Sequence, residues 1–285
     1  MTRLVGTIGD IHRHPVKSMA GEVVSRSCVG FHGLAGDRAL AVFDERNVVV
    51  ASAREKRFAP LLRCTASFLE EPTPEHEARP VLIRLPDGHE IRHGDEDAGA
   101  AISRYLGVEV ILAPLKSGGP SPAGEEALRR VREHLERVRS GGEPRLEGTV
   151  FDHAALHVLS TSTLDRLAAG AGLPSLPARR LRPNLLIEPA GDEPFDESRF
   201  LGATLAIGDQ VLITLSDPTP RCVIPTLPQA DLPRAPEVLE AVARDATLEV
   251  PTFRGTFPCA GAYAFVIRPG VIRRGDSVRL VGSAE

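Results

Sequence analysis

The chain has 285 residues, 42% hydrophobic and 25% charged, with 34 Lys and Arg against 38 Asp and Glu and a net charge of -4. That length supports a substantial core in one large domain or two ordinary ones, and the acidic balance argues against a general nucleic-acid binder, which carries a basic face. Only 4% of residues are aromatic and none is Trp, so base-stacking platforms are not expected, and cores must come from Leu, Val, Ile and Ala.

No stretch has the apolar length of a membrane span, and the first residues carry no secretory pattern, so a cytoplasmic location is expected. Cys28, Cys64, Cys222 and Cys259 lie far apart, without C-x-x-C or zinc spacing, and are expected as free thiols in a reducing compartment.

In chain order, residues 4–14 read as a strand that turns out at His14-Pro15-Val16-Lys17-Ser18, and Glu22 to Val29 as a second strand. In Gly30-Phe31-His32-Gly33-Leu34-Ala35-Gly36-Asp37-Arg38, three glycines in seven positions predict positive φ or a close backbone approach. Ala39 to Phe43 and Val48 to Ala51 form a predicted hairpin. Leu62 to Leu69 and Val81 to Leu85 are further strands, and Asp87-Gly88 turns into His89 to Arg92. Asp97 to Leu106 is a short predicted helix. Strands this short and frequent predict a barrel or sandwich, not a doubly wound sheet.

Between 116 and 148 the texture turns polar. Leu128, Val131, Leu135 and Val138 recur at helical spacing, and the arginines and glutamates between them predict an amphipathic helix with a solvated face. Beyond it, His157-Val158-Leu159 is a buried strand, and Ser160-Thr161-Ser162-Thr163 opens a helix to about Ala169. Ser162 and Asp165 have capping-box spacing, and the hydroxyl-rich helix start is a candidate anion site. Gly170-Ala171-Gly172 ends that helix and is not a dinucleotide fingerprint. Leu185-Leu186-Ile187 is a strand. Ala203 to Ile207 and Val211 to Leu215 form a hairpin, Val238 to Ala246 a helix, and Tyr263 to Ile267 and Val278 to Val281 the last strands.

That hairpin delivers the chain to Asp217-Pro218-Thr219-Pro220-Arg221-Cys222-Val223-Ile224-Pro225-Thr226, a loop stiffened by three prolines. A thiol held rigidly beside a cation suits a soft metal or nucleophilic chemistry. Lys17, Arg38, Arg179, Arg180, Arg182 and Arg221 all fall at loop–strand junctions. Gathered at one barrel end, they would form a cationic mouth for a phosphate and a hydrogen-bonding heterocycle. Cys259 is expected to be a buried structural thiol.

Six ordered motifs then carry a family resemblance: His14-Pro15-Val16-Lys17-Ser18, Gly33 to Arg38, Leu159-Ser160-Thr161, Arg182-Pro183-Asn184, Pro220-Arg221-Cys222, and Arg268-Pro269-Gly270 to Arg274-Gly275-Asp276. Through them the chain resembles MOSC proteins with the MOSC N-terminal β-barrel extension. That group includes the mitochondrial amidoxime-reducing components and the C-terminal domain of molybdenum cofactor sulfurases. The fold implied is mainly β, a barrel-like MOSC domain over 149–285 with a few short helices. A second, smaller N-terminal β-barrel-type module over 1–115 and a polar linker over 116–148 complete the expected organisation. Residues 1–38 are candidates to pack with the C-terminal barrel.

The resemblance implies a molybdenum–molybdopterin cofactor. Cys222 would ligate the metal and be the catalytic residue. Lys17, Ser18, Arg38, Ser160, Thr161, Arg180, Arg182, Asn184 and Arg221 would bind the cofactor. Pyridoxal phosphate is not expected. The implied activity is reduction of N-hydroxylated or N-oxygenated small molecules, with electrons from a separate donor protein of ferredoxin, flavodoxin or cytochrome b5 type. The alternatives are sulfur transfer through a Cys222 persulfide and a non-catalytic cofactor-binding module. The segment Val223 to Pro228 lacks the Thr-Thr-Val-Asp-Pro run common in the reductases, so the resemblance does not name the substrate.

Overall fold

The computed structural model describes residues 2–46, 49–73, 76, 79–114, 133, 154–190 and 196–282. The predicted linker helix falls outside these residues, apart from Glu133. In chain order the strands are β1 (Arg3–Arg13), β2 (Glu22–Val24), β3 (Arg26–Gly30), β4 (Gly33–Leu34), β5 (Leu40–Asp44), β6 (Val49–Val50), β7 (Thr65–Phe68), β8 (Val81–Arg84), β9 (Glu90–Arg92) and β10 (Val110–Pro114). They continue as β11 (Leu156–Ser160), β12 (Leu185–Pro189), β13 (Thr204–Ile207), β14 (Val211–Pro220), β15 (Thr247–Val250), β16 (Gly255–Arg268), β17 (Gly270–Arg273) and β18 (Ser277–Gly282). The helices are α1 (Ala98–Leu106), α2 (Thr161–Ala171) and α3 (Glu237–Asp245). None of the described helices is long and apolar enough to cross a membrane.

Seven strands close a barrel in the order β11-β12-β1-β18-β13-β14-β16 and back to β11. The pair β11–β12 is parallel and the others are antiparallel. Period-two alternation builds it: Val211, Ile213 and Leu215 turn inward, while Leu212, Thr214 and Ser216 are half-buried. In β11 and β12 both faces are apolar for a specific reason. Leu156, Val158, Leu185 and Ile187 fill the barrel, whereas Leu159 and Leu186 point out under α2 and α3 and meet Leu164, Leu167, Val238 and Val242. The closed barrel bears out the mainly-β expectation.

A second core, with Leu40, Phe58, Leu61, Val81, Ile83 and Ile102, lies among two three-stranded sheets, β10-β5-β6 and β7-β8-β9, and α1. The chain leaves the barrel after β1 and returns to it at β11, so β1 sits between β12 and β18, strands from much later in the sequence.

Three local expectations are corrected. The predicted strand at Leu62 begins as a 3-10 turn, Ala59–Arg63, so the strand starts only at Thr65. The strand before Cys222 does not stop at Leu215 but runs through Pro218 to Pro220. Its pairing with β16 shifts register at each proline, and such irregularities are where a strand tolerates residues without an amide donor. Finally, β16 starts at Gly255, well before the predicted Tyr263. Gly261 interrupts the pattern because β16 crosses β11 closely there: φ is +81°, and a Cβ would strike His157 and sit 2.6 Å from Val158 O.

Candidate active site

The two N-terminal motifs meet because their backbones zip together. Arg38 N–H donates to His14 O at 2.7 Å, Leu40 N–H to Pro15 O at 3.0 Å, and Lys17 N–H to Leu40 O at 2.9 Å. Asp37, fully enclosed, ties in a third motif. Its Oδ1 accepts from the His14 main-chain N–H at 2.7 Å and its Oδ2 from Asn184 Nδ2 at 3.0 Å, and it pairs with the Arg38 guanidinium. Burial alone would raise this carboxyl, but the Arg38 cation and the His14 contacts outweigh it and hold Asp37 well below the usual carboxylate range.

The result is a cleft at one end of the barrel, lined by Cys222, Lys17, Ser18, Arg38, Arg182, Asn184 and Arg221, with Ser52, Arg54, His157, Thr219 and Tyr263. The cleft is half open, with a cavity volume of about 130 Å³. Five cations line it, and among the described residues no carboxylate does. Arg182 donates to Met19 O and Arg221 Nη2 to Leu181 O, each at 2.7 Å, so the backbone orients both guanidinium groups. Burial, aided by the nearby Arg38 cation, pushes Arg182 down to about 9, which leaves it charged at neutral pH. Ser18, Arg38 and Arg182 all hold positive φ, +69°, +55° and +54°. Non-glycine residues there carry strain on the order of 1–3 kcal/mol each, and three of them line one cleft. Ser18 Oγ accepts from Ala53 N–H at 3.1 Å, which fixes the turn bearing Ser52 and Arg54 against the barrel end.

Seven of the ten expected site residues therefore converge. Asn184 reaches the cleft, but both ends of its amide already bind protein: Oδ1 accepts from His157 N–H at 3.0 Å and Nδ2 serves Asp37. Ser160, Thr161 and Arg180 are not among the lining residues. The expectation of an open anion site at the start of α2 is corrected, because the buried Glu197 carboxylate occupies it, accepting from Ser160 N–H and from Thr163 Oγ1 at 2.7 Å. Ser160, not Ser162, caps the helix, accepting from Thr163 N–H at 3.1 Å.

Arg180 lies behind the cysteine loop. It donates to Pro225 O at 3.1 Å, Leu227 O at 3.3 Å and Pro233 O at 2.8 Å, and so braces the segment that follows Cys222. Arg180→Ala should leave these carbonyls unsatisfied and cost about 3 kcal/mol in urea unfolding; a loss under about 1 kcal/mol would show that the loop holds without it.

Sequence reasoning passed over Arg54, His157, Thr219 and Tyr263. Thr219 had a signal, since a hydroxyl flanked by two prolines cannot rotate its backbone away. Arg54 had none, because it stands in a turn far from the other cleft motifs in sequence, and the Ser18–Ala53 bond ties that turn to the barrel end. Among the described residues no cluster of three His, Cys, Asp or Glu side chains could hold a metal ion. A metal at Cys222 would therefore have to bring the rest of its coordination sphere. The donor set fits such a group: one soft thiol in a ring of cations.

The family model for the MOSC domain matches residues 136–279, about half of the chain. Among solved structures, the chain is similar to the YUAD protein from Bacillus subtilis at 13% identity, covering 98% of this chain and 96% of that one with a TM-score of 0.43. It is similar to YiiM from Geobacillus stearothermophilus at 20% identity, covering 50% and 57% with a TM-score of 0.33. YiiM from Escherichia coli gives 20%, 50% and 61%, with a TM-score of 0.33. No curated protein matches the chain.

Proposed function

The chain belongs to the MOSC domain family, and on that premise we propose that it binds a molybdenum–pterin cofactor at Cys222 and reduces N-hydroxylated or N-oxygenated small molecules. The observation that carries this reading is a half-buried thiol in a cleft of five cations with no lining carboxylate among the described residues. When bound, the cofactor supplies a two-electron redox couple.

The chain's own residues do the rest. Cys222 offers the soft ligand. Lys17, Arg38 and Arg182 face the phosphate, and Asp37 keeps Arg38 in place while balancing part of its charge. His157 and Asn184 join the strand ends that line the cleft, and Arg180 holds the loop after Cys222. Ser160 and Thr161 have no part in this reading. Re-reduction falls to a separate protein of ferredoxin, flavodoxin or cytochrome b5 type.

Metal and pterin analysis of the purified chain tests it. Molybdenum is expected at about one equivalent, with reduction of a hydroxamic acid in the presence of an artificial donor. Metal-free protein with cyanide-releasable sulfur at Cys222 would instead establish a sulfur carrier, and bound cofactor without reduction a binding module.

A further inference from the structure

Two buried polar groups in the cleft have no protein partner, and they sit on either side of Pro220, next to Cys222. Thr219 is only 3% exposed, and its hydroxyl makes no hydrogen bond. Arg221 Nε is also buried and unpaired, although Nη2 of the same guanidinium is committed to Leu181 O. Native structures pair nearly all such groups, so an orphaned pair lining a cavity points to a ligand.

Local geometry explains why the protein does not satisfy them itself. Thr219 is the penultimate residue of β14 and Arg221 follows two positions on, and both line the same cleft. Pro218 and Pro220 fix φ around Thr219, and Arg221 N–H is held by Pro258 O at 2.8 Å. Neither group can swing away. The surroundings set the charge of what they receive. Lys17, Arg38, Arg54 and Arg182 line the same cleft, and a guanidinium N–H only donates.

We infer that the Thr219 hydroxyl and Arg221 Nε–H form a two-donor seat for an anionic oxygen of a ligand bound beside Cys222. The ligand class is a small oxyanion or a substrate bearing an oxyanion group. The seat stands on the orphaned donors alone and does not depend on molybdenum.

Inorganic sulfate is the probe, titrated calorimetrically at constant ionic strength into the purified chain as isolated, with its molybdenum content recorded. Sulfate is expected to bind wild type. Thr219→Val should weaken it about ten-fold, and Thr219→Ser should retain it. Arg221→Lys keeps the charge but loses the Nε–H, and should weaken binding similarly. The thermal midpoint of Thr219→Val without sulfate should equal or exceed wild type, because the variant removes an unsatisfied buried hydroxyl. Absence of sulfate binding to wild type overturns the assignment. So does equal affinity in Thr219→Val, or a lowered midpoint with affinity unchanged, which would make the hydroxyl structural.

Discussion

Cys222→Ser is expected to purify folded and without molybdenum. The substitution trades a soft sulfur for a hard, protonated oxygen of similar size at a half-buried position. Loop geometry should survive, because Arg180 and the flanking prolines hold the segment independently of the thiol. Stability should change by no more than about 0.5 kcal/mol, while molybdenum per chain falls at least ten-fold, roughly the scale of losing a ligand's support or more. Metal analysis beside urea unfolding separates the two effects. A folded variant that keeps its molybdenum would remove Cys222 as the ligand, and with it the proposed site.

Mild acid should destabilise the fold well before its carboxylates protonate. His14 and His157 are 3% and 6% exposed. Burial, with the Arg182 cation beside His14 and the Arg221 cation beside His157, pushes each down to about 3. In the unfolded chain a histidine titrates near about 6.5. Each folded value thus lies below the unfolded one, and between them the unfolded chain takes up protons that the folded chain does not. The stabilisation is complete above about pH 6.5 and is lost progressively as the pH falls toward 3. The slope is on the order of 1 kcal/mol per pH unit for each ring, so about 3 kcal/mol should disappear between about pH 6.5 and about pH 5. Asp37 acts in the same direction in a lower window: its contribution is present above about pH 3.9 and fades below that. Urea midpoints across this range measure the effect, and His157→Gln should show roughly half the slope. A flat profile would mean that both rings protonate in place.

The barrel was readable because alternation survives wherever one face is wet, as in β13 and β14. It was harder to read where helices cover the outer face, as in β11, or where Gly255, Pro258 and Gly261 break the pattern, as in β16. The cleft was readable from motif order more than from charge. Arginine at a junction looks the same whether it faces a ligand, like Arg182, or braces a loop, like Arg180, because only the tertiary fold decides which carbonyls come within reach. The same limit explains the start of α2. Nothing near Ser160 announces that Glu197, from a distant turn, will supply the acceptor oxygens that this helix start takes up.

The barrel joins the two flanks of the chain, with β1 paired to β12 and to β18. During synthesis the Arg3–Thr7 half of β1, which β2 does not reach, must therefore wait on one edge until β18 has left the ribosome. The core around Phe58, Val81 and Ile102 draws on one continuous stretch and can condense meanwhile. Vectorial folding would then set the intervening module first and seal the ring last, so the cationic mouth assembles only at the final closure.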